Sequence, residues 1–219
     1  MDRDQCVHII RDTGVIAILR AADTRAGSAA QMLVAVDALW QGGIRAMEVS
    51  LTTPGALDLV AAVVARHGPD LLFGAGTVLD PPATEAAIQA GARFVVSPTL
   101  SLDVVALCHR HGVVVVPGCF TPTEMQAAWE AGADLIKLFP ASVGGPELVK
   151  AILAPLPHLP LVPVGSVTVD NACDYIRAGA AAVGVGSSLV DPRLLDAGDM
   201  HALAQRAAAL IAAVEKGRR

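Results

Sequence analysis

The sequence predicts a single-domain α/β protein, a (β/α)8 barrel of the TIM type that spans residues 1–219. Three observations predict this class. Short apolar segments alternate with segments of helical composition, glycine recurs where helical segments end, and the 53% hydrophobic content includes only 3% aromatic residues. Aliphatic runs with few aromatics are typical of buried parallel strands covered by Ala-rich helices. Strands that alternate with helices indicate a parallel sheet.

Eight short apolar runs are the candidate strands. They are Val15 to Leu19, Ala46 to Leu51, Leu71 to Phe73, Phe94 to Ser97, Val113 to Val116, Leu135 to Phe139, Leu161 to Val164 and Ala182 to Val185. Helical composition characterises the segments Gly27 to Gln41, Pro82 to Ala90, Leu102 to Arg110, Pro122 to Ala131, Pro146 to Leu153, Asn171 to Ala178 and His201 to Val214. Eight such units in one chain of this length describe a compact barrel.

A loose repeat of glycines supports the count of eight units. Gly91, Gly112 and Gly132 follow one another at intervals of about 20 residues, near the minimum for one βα unit. The alternative architecture is an open, doubly wound sheet. Its dinucleotide fingerprint, Gly-x-Gly-x-x-Gly, does not follow the first strand, and Gly74-Ala75-Gly76 resembles only a fragment of it.

Composition and charge exclude several functional classes. The net charge is -5, and the basic residues form no run apart from residues 216–219, so we expect no nucleic-acid partner. No apolar run approaches the ~20 residues that span a bilayer, and the charged start is unlike a signal peptide, so we expect no membrane association. The four cysteines are widely spaced without a Cys-x-x-Cys pair, which predicts reduced thiols and a cytoplasmic location.

Lys137 is the most informative residue. It is one of three lysines, and it lies between Ile136 and Leu138 in a predicted buried strand. Loss of hydration lowers the pKa of a lysine and makes its neutral, nucleophilic amine accessible. Such an amine forms a Schiff base with a ketone. The alternative is a strand-end lysine that extends to water or closes a salt bridge.

Glu48 is the carboxylate counterpart, flanked by Met47 and Val49 in an otherwise apolar strand. A carboxylate in that position must be paired, hydrogen-bonded or protonated. A salt bridge to Lys137 would satisfy it. A general acid/base with a raised pKa would use the same position to transfer protons beside an iminium. The two interpretations are compatible, because a coupled pair titrates as a unit.

Polar groups and glycines follow most of the predicted strands. In a barrel these strand ends gather around one mouth, although they are distant in sequence. They supply Arg20, Thr52, Thr77, Pro98, Phe139, Gly165, Ser166, Gly186 and Ser187. The glycine-serine pairs after the last two strands predict a phosphate site, since glycine permits close backbone approach and helix N-termini attract anions. Ordinary turn and capping chemistry is the alternative for either pair alone.

Metal-binding residue types occur together at residues 108–111, which read Cys-His-Arg-His. These residues end a predicted helix before Gly112, on the face opposite the presumed mouth. The sequence therefore predicts a solvated helix end there and no metal site.

The chain resembles the class I 2-keto-3-deoxy-6-phosphogluconate (KDPG) aldolases and the related 6-phosphogalactonate and 4-hydroxy-2-oxoglutarate aldolases. The similarity extends over roughly residues 14–190. It is carried by Ile16-Ala17-Ile18-Leu19-Arg20, Glu48-Val49-Ser50-Leu51-Thr52, Gly74-Ala75-Gly76-Thr77-Val78, Val96-Ser97-Pro98, Pro117-Gly118-Cys119-Phe120-Thr121-Pro122-Thr123-Glu124, Ile136-Lys137-Leu138-Phe139-Pro140 and Val183-Gly184-Val185-Gly186-Ser187.

The resemblance implies a role for each candidate. Lys137 is similar to the Schiff-base lysine and Glu48 to the general acid/base, while Thr77 and Arg20 would hold the pyruvate carboxylate and neighbouring oxygens. Phe139 and Pro98 would form walls of the site. The phosphate would be bound by Ser187 with the backbone of Gly165, Ser166 and Gly186. The resemblance also implies a homotrimer without a metal or other cofactor.

Two positions depart from the phosphogluconate type. Thr52 stands where well-known members carry arginine, so Arg20 or hydroxyl and backbone donors would hold the carboxylate. Pro163-Val164-Gly165-Ser166 stands where those members read Pro-Thr-Gly-Gly. Val164 resembles the phosphogalactonate type and suggests acceptance of the other C4 configuration.

The function predicted from the sequence is cleavage of a phosphorylated 2-keto-3-deoxy sugar acid, of phosphogluconate or phosphogalactonate type, to pyruvate and glyceraldehyde 3-phosphate. The alternative within the family is 4-hydroxy-2-oxoglutarate cleavage, which gives pyruvate and glyoxylate. Two other readings are a phosphosugar epimerase that uses no covalent amine, and a non-catalytic barrel that binds a phosphorylated ligand.

Overall fold

The computed structural model describes residues 1–20 and 29–219. Nine strands lie in these residues: β1 Val15–Leu19, β2 Ala46–Ser50, β3 Leu72–Gly76, β4 Phe94–Val96, β5 Val114–Val116, β6 Gly118–Cys119, β7 Ile136–Leu138, β8 Leu161–Pro163 and β9 Val183–Val185. Each of the eight predicted runs overlaps a strand. Six of these strands are one or two residues shorter than predicted, β1 has the predicted bounds, and β3 extends beyond its predicted run to Gly76. The additional strand is β6, which Pro117 separates from β5.

Ten α-helices accompany these strands in the described residues: α1 Arg3–Thr13, α2 Ala29–Gln41, α3 Ala56–His67, α4 Pro81–Gln89, α5 Leu102–Arg110, α6 Pro122–Glu130, α7 Gly145–Leu153, α8 Val169–Arg177, α9 Pro192–Ala197 and α10 Met200–Gly217. The predicted helical segment Gly27 to Gln41 corresponds to α2, and its first two residues lie outside the described residues. Short 3-10 turns occupy Gly68–Asp70 and Ala141–Val143.

All the strand pairs are parallel. One sheet has six strands in the order β5-β4-β3-β2-β1-β9, and a second has three in the order β6-β7-β8. The register places Glu48 beside Ile18 and Gly74, and Lys137 beside Gly118 and Val162. The fold is therefore an α/β structure whose parallel sheet forms at least half of a barrel.

Each strand divides its side chains between two apolar cores, because successive side chains point to opposite faces. Met47 and Val49 of β2 pack in the core between sheet and helices, whereas Ala46 lies in the inner core. Glu48 and Ser50 share the face of Ala46. Ile136 and Leu138 likewise belong to the outer core, so Lys137 points the other way, toward the inner core.

Helix α1 closes the inner core at the end opposite the strand carboxyl termini. It begins with a capping box of Asp2 and Gln5, and it ends at Gly14, whose φ of 68° suits glycine. Cys6 and Ile10 are one helical turn apart and are buried in the inner core.

The segment at residues 108–111 lies at this same end. The predicted solvated helix end is found only in part: Arg110 and His111 are exposed, whereas Cys108 is buried in the outer core and the half-buried His109 hydrogen-bonds to Arg3. No cluster of three or more His, Cys, Asp and Glu residues suited to a metal ion occurs in the described part of the chain. Within the same residues, no helix has the length and apolar character required to cross a membrane.

Candidate active site

Lys137 and Glu48 both line a small cavity in the inner core. The remaining lining is apolar apart from glycine, and comprises Ile16, Ile18, Val96, Val116, Val162, Val164 and Gly184. The cavity volume is about 10 Å³, close to the minimum that holds one water. Lys137 is 6% exposed and Glu48 is 2% exposed. The two ionisable groups therefore share an almost dry cavity lined by aliphatic side chains.

Burial dominates the electrostatics of the pair. It raises the pKa of Glu48 to about 7, against the opposing charges of Lys137 and Arg20. It lowers the pKa of Lys137, opposed by the Glu48 carboxylate and assisted by Arg20. The amine also lies over an aromatic ring, with Nζ 4.9 Å from the centroid of Phe139. Removal of water thus favours the neutral form of both groups.

Glycines make room for Glu48 and for the Val164 wall of the cavity. A Cβ added to Gly76 would lie 2.5 Å from Glu48 Oε1, and one added to Gly184 would lie 2.6 Å from Val164 Cγ2. Glu48 Oε2 is buried without a hydrogen-bond partner among the described residues. An unpaired buried carboxylate oxygen costs free energy unless it is protonated or meets a donor. This oxygen is therefore well suited to exchange a proton with a bound molecule.

A cluster of hydroxyl groups lies at the carboxyl ends of β2 and β3. Ser50 Oγ is 2.8 Å from Thr52 Oγ1 and 2.8 Å from Thr77 Oγ1. Thr77 has a φ of 59°, in the left-handed region that a β-branched residue rarely adopts. Strained backbone of this kind is characteristic of functional sites.

A larger cavity of about 410 Å³ opens beside the inner one. It brings together seven of the predicted site residues: Arg20, Phe139, Val164, Gly165, Ser166, Gly186 and Ser187. Ile18, Val164 and Gly184 line both cavities, so the larger cavity leads directly to Lys137. Arg20 therefore lines the same cavity as the glycine-serine loops, and its charge also acts on Glu48 and Lys137.

Two loops form the outer end of this cavity. Gly165 and Ser166 have φ values of 106° and 60°, and they precede the N-terminus of α8. Ser188 Oγ donates a hydrogen bond to the Val167 carbonyl at 2.6 Å, which ties the loop after β9 to the loop after β8. Backbone N–H groups in a turn that leads into a helix N-terminus can bind an anion.

Thr52, Thr77 and Pro98 line neither cavity. Thr52 and Thr77 belong to the hydroxyl cluster, and the Pro98 carbonyl packs closely against Gly118. The sequence analysis assigned no role to Ser50 or Ser188. Ser50 could have been found from its two-residue spacing from Glu48, which puts both on one strand face. The Ser188 contact joins two loops 21 residues apart and has no local signal.

The sequence is similar to those of known aldolases. The family model described as "KDPG and KHG aldolase" matches residues 7–206. A 2-dehydro-3-deoxy-6-phosphogalactonate aldolase from Escherichia coli (strain K12) is 38% identical over 176 residues, which are 80% of this chain and 83% of the relative. A 2-dehydro-3-deoxy-phosphogluconate aldolase from Treponema pallidum is 39% identical over 163 residues, 74% of this chain and 77% of the relative.

Solved structures agree with the sequence relatives. The native KDPGal structure superposes with a TM-score of 0.84 at 36% identity, and the match covers 93% of this chain and 95% of that chain. A KDPG aldolase from Legionella pneumophila, with pyruvate captured as a covalent carbinolamine intermediate, superposes with a TM-score of 0.85 at 27% identity, covering 94% and 98%.

A parallel α/β fold with a dry lysine and carboxylate at its centre defines a carbon–carbon lyase of the aldolase class. The chain belongs to the KDPG and KHG aldolase family.

The raised pKa of Glu48 predicts how its replacement changes stability with pH. Between the unfolded value of 4.5 and the folded value of about 7, the unfolded chain releases a proton that the folded chain keeps. Stability from this group is therefore full at low pH and is lost as pH rises through that window. Glu48→Gln removes the dependence, so the variant should gain on the order of 2 kcal/mol relative to the parent between about pH 5 and about pH 7.

Urea unfolding at a series of pH values measures this difference. Glu130→Gln is the matched control, because Glu130 is an exposed residue at the end of α6; its difference from the parent should stay constant. A constant difference for Glu48→Gln as well would contradict the raised pKa.

Proposed function

We propose that this chain is a Schiff-base aldolase that cleaves a 2-keto-3-deoxy-6-phospho sugar acid, of gluconate or galactonate type, to pyruvate and glyceraldehyde 3-phosphate. The observation that carries the proposal is the shared inner cavity of Lys137 and Glu48, in which burial lowers the pKa of the amine and raises that of the carboxyl. The covalent carbinolamine intermediate of pyruvate captured in the Legionella pneumophila relative supports the same chemistry.

The reaction begins when the neutral amine of Lys137 attacks the C2 ketone. Glu48 supplies the proton with which water leaves, and a protonated Schiff base remains. Glu48, now a carboxylate, takes the C4 hydroxyl proton, directly or through a water, as the C3–C4 bond breaks. The bonding electrons pass into the iminium and form an enamine, and glyceraldehyde 3-phosphate departs. Protonation of C3 and addition of water release pyruvate and restore Lys137.

The two ends of the substrate would occupy different parts of the site. The phosphate would lie in the larger cavity, where Arg20 supplies positive charge and Gly165, Ser166, Gly186 and Ser187 line the wall. The pyruvate carboxylate would lie toward the hydroxyl cluster of Thr52 and Thr77. Phe139 and Pro98 would wall the reacting carbons, and Val164 would contact the C4 region, because it lines both cavities.

We also propose that residues 1–219 form a single domain in which both sheets close into one barrel. The count of eight strands treats β5 and β6 as one strand interrupted at Pro117. Support comes from backbone contacts on both sides: Ser97 N–H donates to Val116 O at 3.2 Å, and Lys137 N–H donates to Pro117 O at 2.9 Å. A bridge between Val164 and Gly184 supports the other junction, between β8 and β9.

A homotrimer is the assembly that we propose. One structural relative, with a TM-score of 0.84 at 34% identity over 94% of this chain and 73% of that chain, is a protein cage designed by fusing symmetric oligomeric domains. The likeness supports a symmetric assembly of this fold.

The alternative that we propose within the family is cleavage of 4-hydroxy-2-oxoglutarate to pyruvate and glyoxylate. A solved relative named 4-hydroxy-2-oxoglutarate aldolase/2-deydro-3-deoxyphosphogluconate aldolase superposes with a TM-score of 0.82 at 30% identity, covering 98% of this chain and 99% of that chain. The same lysine chemistry serves both substrates. An epimerase or a non-catalytic binding barrel would not require the amine of Lys137.

Borohydride trapping tests the covalent step. Incubation with pyruvate and sodium borohydride should add one reduced pyruvate to the protein, and peptide mapping should place it on Lys137 alone, because this is the amine whose pKa burial lowers. Lys137→Arg should abolish both the labelling and pyruvate release, whereas Lys150→Arg, on the surface helix α7, should leave both unchanged. Labelling of another lysine, or activity in Lys137→Arg, would reject the assignment.

Val164→Thr tests the choice between C4 epimers. An added hydroxyl beside C4 should raise the ratio of kcat/KM for the phosphogluconate-derived over the phosphogalactonate-derived substrate by about fivefold, the effect of one hydrogen bond. Val164→Ala is the control, since it changes volume without adding a hydroxyl. An unchanged ratio in Val164→Thr, or an equal shift in Val164→Ala, would contradict hydroxyl selection at this position.

A further inference from the structure

Ser50 lies at the centre of the hydroxyl cluster. It ends β2, is fully buried, and projects from the same strand face as Glu48, two residues earlier. Its Oγ contacts Thr52 Oγ1 and Thr77 Oγ1, each at 2.8 Å, and accepts a longer hydrogen bond from the Thr52 backbone N–H at 3.4 Å. Ser50 therefore connects the two threonine hydroxyls.

The protons of this cluster can be counted. A hydroxyl group has one proton to donate and two lone pairs that accept. The Thr52 N–H occupies one lone pair of Ser50 Oγ. Two threonine hydroxyls share the remaining lone pair and the single proton, so Ser50 accepts from one threonine and donates to the other. The threonine that receives the Ser50 proton keeps its own proton for another acceptor.

The difference in burial between the two threonines favours one direction of proton donation along the hydrogen-bond chain that joins Thr52, Ser50 and Thr77. Thr52 is exposed and Thr77 is half-buried. An exposed hydroxyl satisfies its outward lone pairs with water, whereas a proton donor directed into a half-buried position forms a stronger hydrogen bond with an anion. The arrangement that follows is donation from Thr52 to Ser50 and from Ser50 to Thr77. In that arrangement the Thr77 hydroxyl keeps its own proton for an acceptor outside the cluster.

We propose that Ser50 is a positioning residue that orients this chain, so that Thr77 donates its hydroxyl proton to the carboxylate of the 2-keto acid. The inference rests on the proposed function. It gives the carboxylate a directed donor on the β2–β3 side, while Arg20 lies in the larger cavity with Ser187. The left-handed backbone of Thr77 fixes the direction in which that donor points.

The test uses the first half of the reaction alone. Exchange of the pyruvate methyl protons with D₂O, followed by NMR, reports Schiff-base and enamine formation without the aldehyde. Ser50→Ala should raise the KM for pyruvate by about tenfold, because Thr77 loses its fixed orientation, with kcat within about twofold of the parent. Exchange of pyruvamide, which has the same ketone but no carboxylate charge, should be unchanged.

Three further variants separate positioning from a structural effect. Thr77→Val, which removes the donor itself, should raise the KM for pyruvate at least as much as Ser50→Ala. Thr52→Val, which leaves the Ser50-to-Thr77 hydrogen bond in place, should raise it less. Thr84→Val removes a buried hydroxyl in α4 that donates to the Asp80 carbonyl. Its KM and kcat for proton exchange should equal those of the parent with both pyruvate and pyruvamide.

The contrary outcomes are distinct. If Ser50→Ala impairs proton exchange of pyruvate and of pyruvamide equally, or leaves the KM for pyruvate unchanged, the positioning role is overturned while the aldolase function stands. A larger rise in the KM for pyruvate in Thr52→Val than in Thr77→Val would also overturn the positioning role, because proton donation along the hydrogen-bond chain would then run from Thr77 to Thr52. Absence of exchange in the unaltered protein would instead overturn the proposed function itself.

Discussion

The exclusion of water from the Lys137 amine is the constraint on which the rest of the site depends. A solvated lysine stays protonated near neutral pH and cannot attack a ketone. Here the strand alternation turns Lys137 away from its apolar neighbours and into an inner cavity walled by Val116 and Val162. The same cavity holds Glu48, whose carboxyl prefers to remain protonated there. One dry space thus prepares both the nucleophile and the acid.

Polar groups lie on two sides of this apolar cavity. The glycine-serine loops and Arg20 line the open cavity, and the hydroxyl cluster of Ser50 lies at the ends of β2 and β3. Gly76 is small enough for Glu48 to fit beside it. In the proposed function, separation of the two polar regions would orient a substrate that carries an anionic group at each end. Its ketone would then lie near the buried amine, whose pKa is lowered.

Much of this arrangement could be predicted from the sequence, because Lys137 and Glu48 are conspicuous charges in apolar strands and parallel strand ends gather at one face. The burial of Lys137 could be predicted from its apolar strand, but the residues around its amine could not. Ile136 and Leu138 pack in the outer core, and residues of other strands, including Val116 and Val162, line the cavity around the amine. Sequence also could not show that Arg20 lines the same cavity as the glycine-serine loops, since the direction of a side chain after its strand depends on tertiary packing.

The central claim is tested most directly by titration of Lys137 itself. Lysine labelled with ¹³C at Cε gives one NMR signal for each of the three lysines in the chain, and the signal lost in Lys137→Arg identifies the residue. This signal should titrate clearly below the ordinary lysine pKa of 10.5, because burial lowers the pKa of Lys137. Titration of the Lys137 signal at or above the ordinary value would contradict the central claim.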